Sequence, residues 1–262
     1  MKPGRNLLFA AAILAATIAL EACAVGPSIN GNFDEKLSVT GPVRLELTNA
    51  SGDVQISGGA DGQVHVRGEV RYSGSSSANR QKYLDEILKN PPLEQKGNTI
   101  RIGKDLVRFR NVAISYTIEV PHDTEVSVTV ASGAQTIRNV RGPVKLQSAS
   151  GAIRVEQIDG DVQISTASGS VAARELGDDV RANSSSGNVS VTNSKGSVRA
   201  NSLSGDVQII KPGGRAEAET ASGSIEVQGA QNDVSANTAS GHITVQGIPG
   251  ANAFWDITTA SG

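Results

Sequence analysis

The feature that most constrains this chain is an 18-residue repeat that runs through its second half. Residues 220–229 read TASGSIEVQG, and residues 238–247, one interval later, read TASGHITVQG. Seven motif glycines are separated by six equal intervals of 18 residues: Gly133, Gly151, Gly169, Gly187, Gly205, Gly223 and Gly241. Chance does not produce six equal intervals, so the period must be that of the fold.

Apolar and polar residues alternate after each motif glycine. The second residue after the glycine is Ile or Val in six of the seven repeats, and the fourth is Ile, Val or Ala in all seven. A period of two is that of a β-strand with one buried face. A turn residue recurs nine residues after the motif glycine, and a second alternating stretch of Val and Ala follows it. Each repeat is therefore strand, turn, strand, turn, with no helix between the strands.

A strand–turn unit of this size cannot bury its apolar face alone, whereas a stack of equal units can. We therefore predict an all-β fold, a single-stranded parallel β-solenoid with one coil per 18 residues and strands about 4.8 Å apart. A β-sandwich or a meander is the alternative, but neither requires an invariant period. Recurring alanines such as Ala200 and Ala218 indicate that the two sheets lie close together there. At the far end, Trp255 falls on an inward column and is expected to cover the core.

The seven motif glycines are predicted to be structural turn glycines at the corner of each coil. By strand alternation, the Ser or Thr three residues before the glycine, such as Thr220, should point towards the core. The serine directly before the glycine should also point inward. Stacked hydroxyls can bond to the neighbouring coil, which offsets the cost of burying them. Glycine allows the positive φ that a tight corner often needs. A catalytic serine is disfavoured because no His or Lys recurs beside it.

Residues 32–130 are related to the repeat but irregular, and the regular solenoid is assigned to residues 131–262. Residues 77–89 are predicted to form a helix with one apolar stripe, which two prolines end. A hairpin is expected around Gly97 and Asn98. We interpret this region as a small α+β cap whose helix covers a solenoid end, because open strand edges recruit other chains.

The first residues are typical of an export signal. Two basic residues precede an apolar run of about 14 residues, which is shorter than the ~20 that a helix needs to cross a bilayer. Residues 20–23, Leu-Glu-Ala-Cys, resemble a bacterial lipobox, and Cys23 is the only cysteine of the chain. We predict a lipoprotein signal peptide over residues 1–22, lipidation of Cys23 and a tether over residues 23–31. An ordinary signal peptide with a chance cysteine is the alternative.

No constellation in the sequence indicates catalysis, a metal site or a cofactor. His65, His122 and His242 are far apart and lack metal-ligand spacing, so we interpret them as solvated. An aspartate follows the turn glycine in too few repeats for a calcium-binding solenoid. Residues 131–250 contain no Phe, Tyr or Trp on which a sugar could stack. Residues 133–250 hold ten Lys or Arg against eleven Asp or Glu, which argues against nucleic acid.

Residues 114–133, ISYTIEVPHDTEVSVTVASG, followed by glycine-punctuated strands, resemble the bacterial putative-adhesin family of β-solenoid domains of unknown function. The resemblance covers nearly all of residues 40–262. It implies a right-handed β-helix on an exported or envelope-anchored protein. The family has no agreed catalytic residues to carry over.

Together these features predict a non-catalytic, lipid-anchored protein of the cell envelope that acts as a scaffold or an adhesion-type binding module. Its expected partners are a membrane, through lipidated Cys23, and an unknown envelope protein or polymer. It would be exported and would face the periplasm or the cell surface. Two alternatives stay open: an accessory protein of envelope stress whose partner docks on the helix-bearing region, and a polysaccharide-active enzyme.

Overall fold

The computed structural model describes residues 28–59, 61–73, 77–103 and 111–262. These residues form an all-β parallel solenoid with one helix, as predicted. The elements are β1 (Ile29–Ser38), β2 (Val43–Ser51), β3 (Val54–Gly59), β4 (Gln63–Tyr72), α1 (Ser77–Lys89), β5 (Leu93–Lys96), β6 (Thr99–Ile102), β7 (Val112–Pro121), β8 (Thr124–Ser132), β9 (Gln135–Val140), β10 (Val144–Ser150), β11 (Ile153–Ile158), β12 (Val162–Ser168), β13 (Val171–Leu176), β14 (Val180–Ser186), β15 (Val189–Ser194), β16 (Val198–Ser204), β17 (Val207–Pro212), β18 (Ala216–Ser222), β19 (Ile225–Ala230), β20 (Val234–Ser240), β21 (Ile243–Gly247) and β22 (Trp255–Ser261).

From β8 onwards each coil gives one strand to each of two sheets. Sheet A contains β1, β3, β4, β7 and the odd-numbered strands from β9 to β21, and sheet B contains β2, β5, β6 and the even-numbered strands from β8 to β22. In sheet B, Val162 pairs with Val180 and Val180 with Val198, in parallel. The pairing offset is therefore the 18-residue period, and equivalent side chains of successive coils stack in columns.

The core consists of these inward columns. In β14 and β15 the buried hydrophobic side chains are Val180, Ala182, Val189 and Val191, each at most 1% exposed. The predicted alanine column is fully buried, and it contains Ala182, Ala200, Ala218 and Ala236. The polar residue Gln135 keeps its inward place, and its amide nitrogen donates to the carbonyl of Gln147 at 3.0 Å.

Each coil also has an inward column that strand parity did not predict. Near the end of each sheet A strand one residue adopts a positive φ, and from β9 to β19 these are Asn139 (58°), Gln157 (56°), Glu175 (53°), Asn193 (57°), Lys211 (52°) and Gly229 (71°). This residue points outward, like the one before it, and the next residue points inward. The extra buried column consists of Val140, Ile158, Leu176, Ser194, Pro212 and Ala230. The left-handed residue therefore turns the chain at the coil corner without changing the register, since Glu156 pairs with Arg174 and Ile158 with Leu176.

The N-terminal region stacks its coils out of chain order. The pair β2 and β3 lies between the pair β6 and β7 and the pair β8 and β9, with parallel pairing throughout. Beyond them, β4 pairs antiparallel with β7, and β1 with β4. The expected hairpin is confirmed, since β5 pairs antiparallel with β6. Its two strands are joined by Gly97 and Asn98.

The helix α1 has the predicted bounds and lies at this end of the solenoid. Leu84 and Ile87 are buried, and Leu88 packs against the core from a partly buried position. A Cβ placed on Gly31 of β1 would lie 2.6 Å from a methyl group of Leu88, so the glycine lets the helix approach the edge strand closely. The helix therefore covers β1, as the cap interpretation expected.

Tyr116 on β7 is the largest side chain that is fully buried. Its ring meets the ring of Phe33 edge to face, with the centroids 6.2 Å apart. Its hydroxyl has no hydrogen-bond partner among the described residues. Burial raises the pKa of the Tyr116 phenol above its ordinary value of 10.0, because the low-dielectric interior disfavours the phenolate.

Candidate binding surface

The seven motif glycines lie at the coil corner, where the sequence predicted them. Glycine is required there mainly because the backbones of successive coils lie close together. A Cβ on any of them would lie 2.0–2.5 Å from the carbonyl oxygen of the corresponding glycine one coil earlier. No real Cβ tolerates such a contact with backbone, so glycine is needed at this spacing. Six of the seven also have a φ between 133° and 156°, whereas Gly169 does not.

A Ser or Thr stands three residues before six of the seven motif glycines, and its hydroxyl points inward, as predicted. Ser202, Thr220 and Thr238 donate to the glycine carbonyl of the preceding coil at 3.0, 3.0 and 3.2 Å. The bond is not universal, since the buried hydroxyls of Ser148 and Thr166 have no partner among the described residues. The column thus satisfies most of its buried polar atoms through the neighbouring coil.

The serine directly before each glycine was predicted to point inward, and that prediction is wrong. Ser150, Ser168, Ser186, Ser204, Ser222 and Ser240 are all exposed. Alternation holds only while the chain stays extended, and the chain turns at this corner. The backbone is still used, because the amide of Gly151 donates to the carbonyl of Ser168 at 3.0 Å.

A charged cluster lies on the outer face of sheet A, around His65. His65 faces outward as expected, but the interpretation as solvated is wrong, since only 12% of its side chain is exposed. Its Nε2 lies 2.7 Å from Oδ1 of Asp34, and Arg67 donates to its Nδ1 at 3.1 Å. Because arginine can only donate, Nδ1 is the acceptor and the Nε2–H donates to Asp34. Arg67 also contacts Glu119 at 3.4 Å, so these groups satisfy one another.

The turn aspartates connect coils through the backbone. Oδ1 of Asp206 accepts the amide of Ser224 at 2.9 Å, and Oδ1 of Asp53 accepts the amide of Ala134 at 2.8 Å. In the described part of the chain no group of three His, Cys, Asp or Glu residues is arranged to hold a metal ion. These carboxylates accept backbone amides of the next coil, a role that the sequence analysis did not predict.

A groove of about 480 Å³ runs along the outer face of sheet B, across β2, β8, β10, β12 and β14. Its charged lining residues are Arg44, Glu46, Glu125, Lys145, Asp161 and Arg181. We call it the sheet B groove. Its floor is the backbone of the strands, and its walls are outward side chains stacked from coil to coil, so the solenoid period fixes their positions.

Half of the charged residues that line the sheet B groove form ion pairs with described residues. Arg44 contacts Glu125 at 2.7 Å, and Arg101 contacts Glu46 at 2.8 Å. Further along the same face Arg199 pairs with Glu217. Two exposed cations of the groove, Lys145 and Arg181, have no carboxylate within ion-pair distance among the described residues. They lie two strands apart, so they present two positive charges about 10 Å apart along the groove.

The predicted signal peptide and Cys23 fall within residues 1–27, which lie outside the described residues. The lipidation of Cys23 therefore stays a prediction. No helix in the described part of the chain is long and apolar enough to cross a membrane.

Two solved structures are similar to this chain. A crystal structure of a putative adhesin from Bacteroides fragilis is 17% identical, with a TM-score of 0.52, and the match covers 83% of this chain and 97% of that chain. A crystal structure of a putative lipid binding protein from Parabacteroides distasonis is also 17% identical, with a TM-score of 0.49, covering 87% of this chain and 97% of that chain. The likeness to the Bacteroides fragilis structure shows a shared fold.

The sequence itself matches one family. Residues 42–262 match the family described as Toastrack DUF4097. This range contains residues 114–133, on which the resemblance to adhesin-like solenoids was based. No curated protein matches the chain.

Proposed function

The chain belongs to the Toastrack DUF4097 family, and from that premise we propose that it is a non-catalytic binding module of the cell envelope. Its ligand would be an anionic polymer of the envelope, bound in the sheet B groove. The observation that carries this proposal is the presence in one groove of two cations, Lys145 and Arg181, that form no ion pair with a described residue, whereas the third, Arg44, is paired.

The geometry of the groove favours a polymer as ligand. The two free cations project from the same column of stacked side chains and are separated by Gln163. A polymer with carboxylate or phosphate groups along its length can meet both at once, and each contact adds to the apparent affinity of the other. Asp161 is the one carboxylate of the groove that has no ion pair with a described residue, so the unpaired charges sum to a positive value.

The rigidity of the solenoid supports a scaffold role. Each coil is tied to the next by two parallel ladders and by the corner bonds, so the backbone positions that carry the outer side chains are held at a fixed spacing. An adhesin role, the name that the Bacteroides fragilis structure carries, would be one form of this proposal.

Membrane attachment is part of the same proposal. A basic start, a short apolar run and a single cysteine at the lipobox position support lipidation of Cys23. One acyl chain binds a membrane only marginally, so stable attachment requires more than one chain on that cysteine. The predicted tether over residues 23–31 would be shortened by β1, which begins at Ile29, and the residues between Cys23 and that strand would hold the solenoid close to the bilayer.

The groove is tested with the double variant Lys145→Gln and Arg181→Gln. Binding of fluorescent polygalacturonate, a carboxylate polymer, is measured by fluorescence polarisation at several salt concentrations. We expect the affinity to fall by roughly tenfold, because two charged contacts are lost at about 0.7 kcal/mol each. The salt dependence should weaken with it.

The matched control is the double variant Arg154→Gln and Arg174→Gln on sheet A, which removes the same charge from the opposite face. It should bind the polymer like the wild type. If the two double variants lose the same affinity for the polymer, binding depends on the overall charge of the protein, and the sheet B groove is not the binding site. Binding that prefers phosphatidylglycerol vesicles to the polymer would overturn the choice of ligand.

The anchor is tested by Cys23→Ser in cells that export the protein. The unchanged chain should partition into the detergent phase, and the variant should leave it. A variant that stays in the detergent phase would overturn lipidation and leave the groove proposal unaffected.

A further inference from the structure

The sheet B groove continues along the same face into a second, smaller hollow of about 120 Å³, and Arg181 lines both. The other charged residues of this hollow are Asp179, Arg199, Arg215 and Glu217, and we call it the Arg215 hollow. Arg199 pairs with Glu217. Arg215 is exposed and forms no ion pair with any residue that the structure describes. It is therefore a third free cation on this face, beside the two of the groove.

The three free cations occur at every second coil. Lys145 lies on β10 and Arg181 on β14, two strands further along sheet B. Arg215 directly precedes Ala216 of β18, which is another two strands along. Because the strands are about 4.8 Å apart, the cations advance along the solenoid axis by about 10 Å at each step. Arg215 is also offset by two residues along the strand, about 7 Å, so the line of cations is slightly oblique.

The coil between Lys145 and Arg181 disfavours an anion. Gln163 stands between these two cations in their column. Asp161, which lines the groove beside it, is exposed and has no ion pair within the described chain. A carboxylate of a ligand placed at this coil would meet a like charge, which is repulsive. The groove therefore favours a ligand in which charged and uncharged groups alternate.

A column of uncharged polar side chains runs beside the cations. Across β10, β12, β14 and β16 it contains Gln147, Ser165, Asn183 and Asn201. Nδ2 of Asn201 donates to Oδ1 of Asn183 at 3.2 Å, so the amides are linked from coil to coil. Amides and hydroxyls both donate and accept hydrogen bonds. The hydroxyl groups of a sugar would therefore find partners along this column.

We propose, resting on the proposed function of the sheet B groove, that its ligand is an acidic polysaccharide with one carboxylate in each disaccharide repeat. In an extended polysaccharide one sugar advances about as far as one strand spacing, about 4.8 Å, so a disaccharide matches two coils. Successive carboxylates would meet Lys145, Arg181 and Arg215. The uncharged sugar between the first two would face Gln163. Arg215 is thus assigned as a third contact that extends the site.

The composition of the face fits recognition by charge. Residues 131–250 contain no Phe, Tyr or Trp, so no ring face is available for a sugar to stack on. A neutral glycan would then gain only hydrogen bonds that it already makes with water. A polysaccharide charged on every sugar can reach the cations with every second carboxylate, but one of the others would meet Asp161. The spacing of the charges therefore determines the preference among glycans.

The third contact is tested with Arg215→Gln. The probe is an end-labelled hyaluronate hexasaccharide, which carries one carboxylate per disaccharide, and binding is measured by fluorescence polarisation at fixed salt. The variant should bind it roughly threefold more weakly, because one exposed ion contact is lost. The matched control is Arg174→Gln, which removes an exposed arginine from sheet A and should leave the affinity unchanged. Equal affinities of the two variants would overturn the role of Arg215. Comparable binding of neutral chitohexaose by the wild type would overturn recognition by charge.

The spacing is tested with Asp161→Asn. This variant should bind hexagalacturonate, which is charged on every sugar, roughly threefold more tightly than the wild type, because a repulsion is removed. Its affinity for the hyaluronate hexasaccharide should not change, since an uncharged sugar lies at that coil. The same change for both probes, or no change for either, would overturn the alternating pattern. These failures leave the groove itself in place as long as Lys145→Gln with Arg181→Gln still weakens the binding of polygalacturonate.

Discussion

The hydroxyl of Thr220 donates a hydrogen bond of 3.0 Å to the carbonyl oxygen of Gly205, one coil earlier. A Cβ placed on Gly223 would lie 2.3 Å from that same oxygen. In the coils where this bond forms, one backbone atom therefore both accepts the inward hydroxyl of the next coil and excludes any side chain at its motif glycine. This shared dependence explains why Ser or Thr and Gly recur together, three residues apart.

Replacing Thr220 with Val should destabilise the protein by about 1–3 kcal/mol, because it leaves the buried carbonyl of Gly205 without this donor. The free energy of unfolding in urea measures the effect.

The matched control is Thr166→Val. Thr166 occupies the same column and is equally buried at 6%, but its hydroxyl has no partner among the described residues. The substitution there should be nearly neutral or slightly stabilising. Equal losses at the two positions would mean that the hydroxyl contributes through packing rather than through its hydrogen bond.

Replacing Gly151 with Ala should cost at least about 3 kcal/mol, because a Cβ would lie 2.1 Å from the carbonyl of Gly133 and the φ is 133°. Gly62→Ala separates the two causes. Gly62 has a φ of 82° with nothing within 4 Å of the added carbon, so its replacement should cost about 1 kcal/mol. If both variants lose the same free energy, the backbone conformation matters and the closeness of the coils does not.

Replacing Tyr116 with Phe should be neutral or stabilising by up to about 1 kcal/mol at pH 7, because the hydroxyl is buried without a partner among the described residues. At high pH the two proteins should diverge. The raised pKa of Tyr116 means that the unfolded state loses this proton first, near 10.0. The stability that the protonated phenol contributes is present below pH 10 and is lost as the pH rises above it.

Urea unfolding from pH 7 to pH 11 should therefore show a steeper loss for the wild type than for Tyr116→Phe. Other tyrosines and lysines titrate in both proteins, so the difference between the two curves isolates Tyr116. A constant difference across this range would contradict the burial argument.

Deleting residues 188–205 removes one whole coil, and the chain should still fold, with slightly lower stability, because each coil mainly contacts its neighbours. Asp206, Val207 and Ile209 then take the places of Asn188, Val189 and Val191. Deleting only residues 188–196 should prevent folding, because every downstream strand would meet the wrong sheet. Circular dichroism and size-exclusion chromatography distinguish these outcomes, and equal folding of both deletions would refute one coil per 18 residues.

The 18-residue period was enough to predict most of the fold, because stacking equal units forces equivalent residues into register. Val162, Val180 and Val198 therefore had to pair. The period could not reveal the outward turn of Ser204, since alternation ends where the chain stops being extended. The extra inward column was missed for a related reason. The left-handed residue before it is Gln157 in one coil and Lys211 in another, and neither residue type signals a positive φ.

The candidate site was less predictable than the fold. Asp34 and His65 meet because β1 and β4 pair antiparallel in the irregular region, where no repeat sets the register. Lys145 and Arg181 are two periods apart, so their shared column follows from the sequence. Whether a carboxylate reaches either cation depends on side-chain rotamers, which an 18-residue spacing does not determine.

The residues with positive φ near the end of the sheet A strands form a column of evenly spaced positions that can be used to set distances. Asn, Gln, Glu, Lys and Gly all occupy these positions in different coils, so the residue type there can be changed. Successive positions are one strand spacing apart, about 4.8 Å. Cysteines introduced at chosen pairs, such as Gln157 and Lys211, would hold two probes at separations set in steps of one coil.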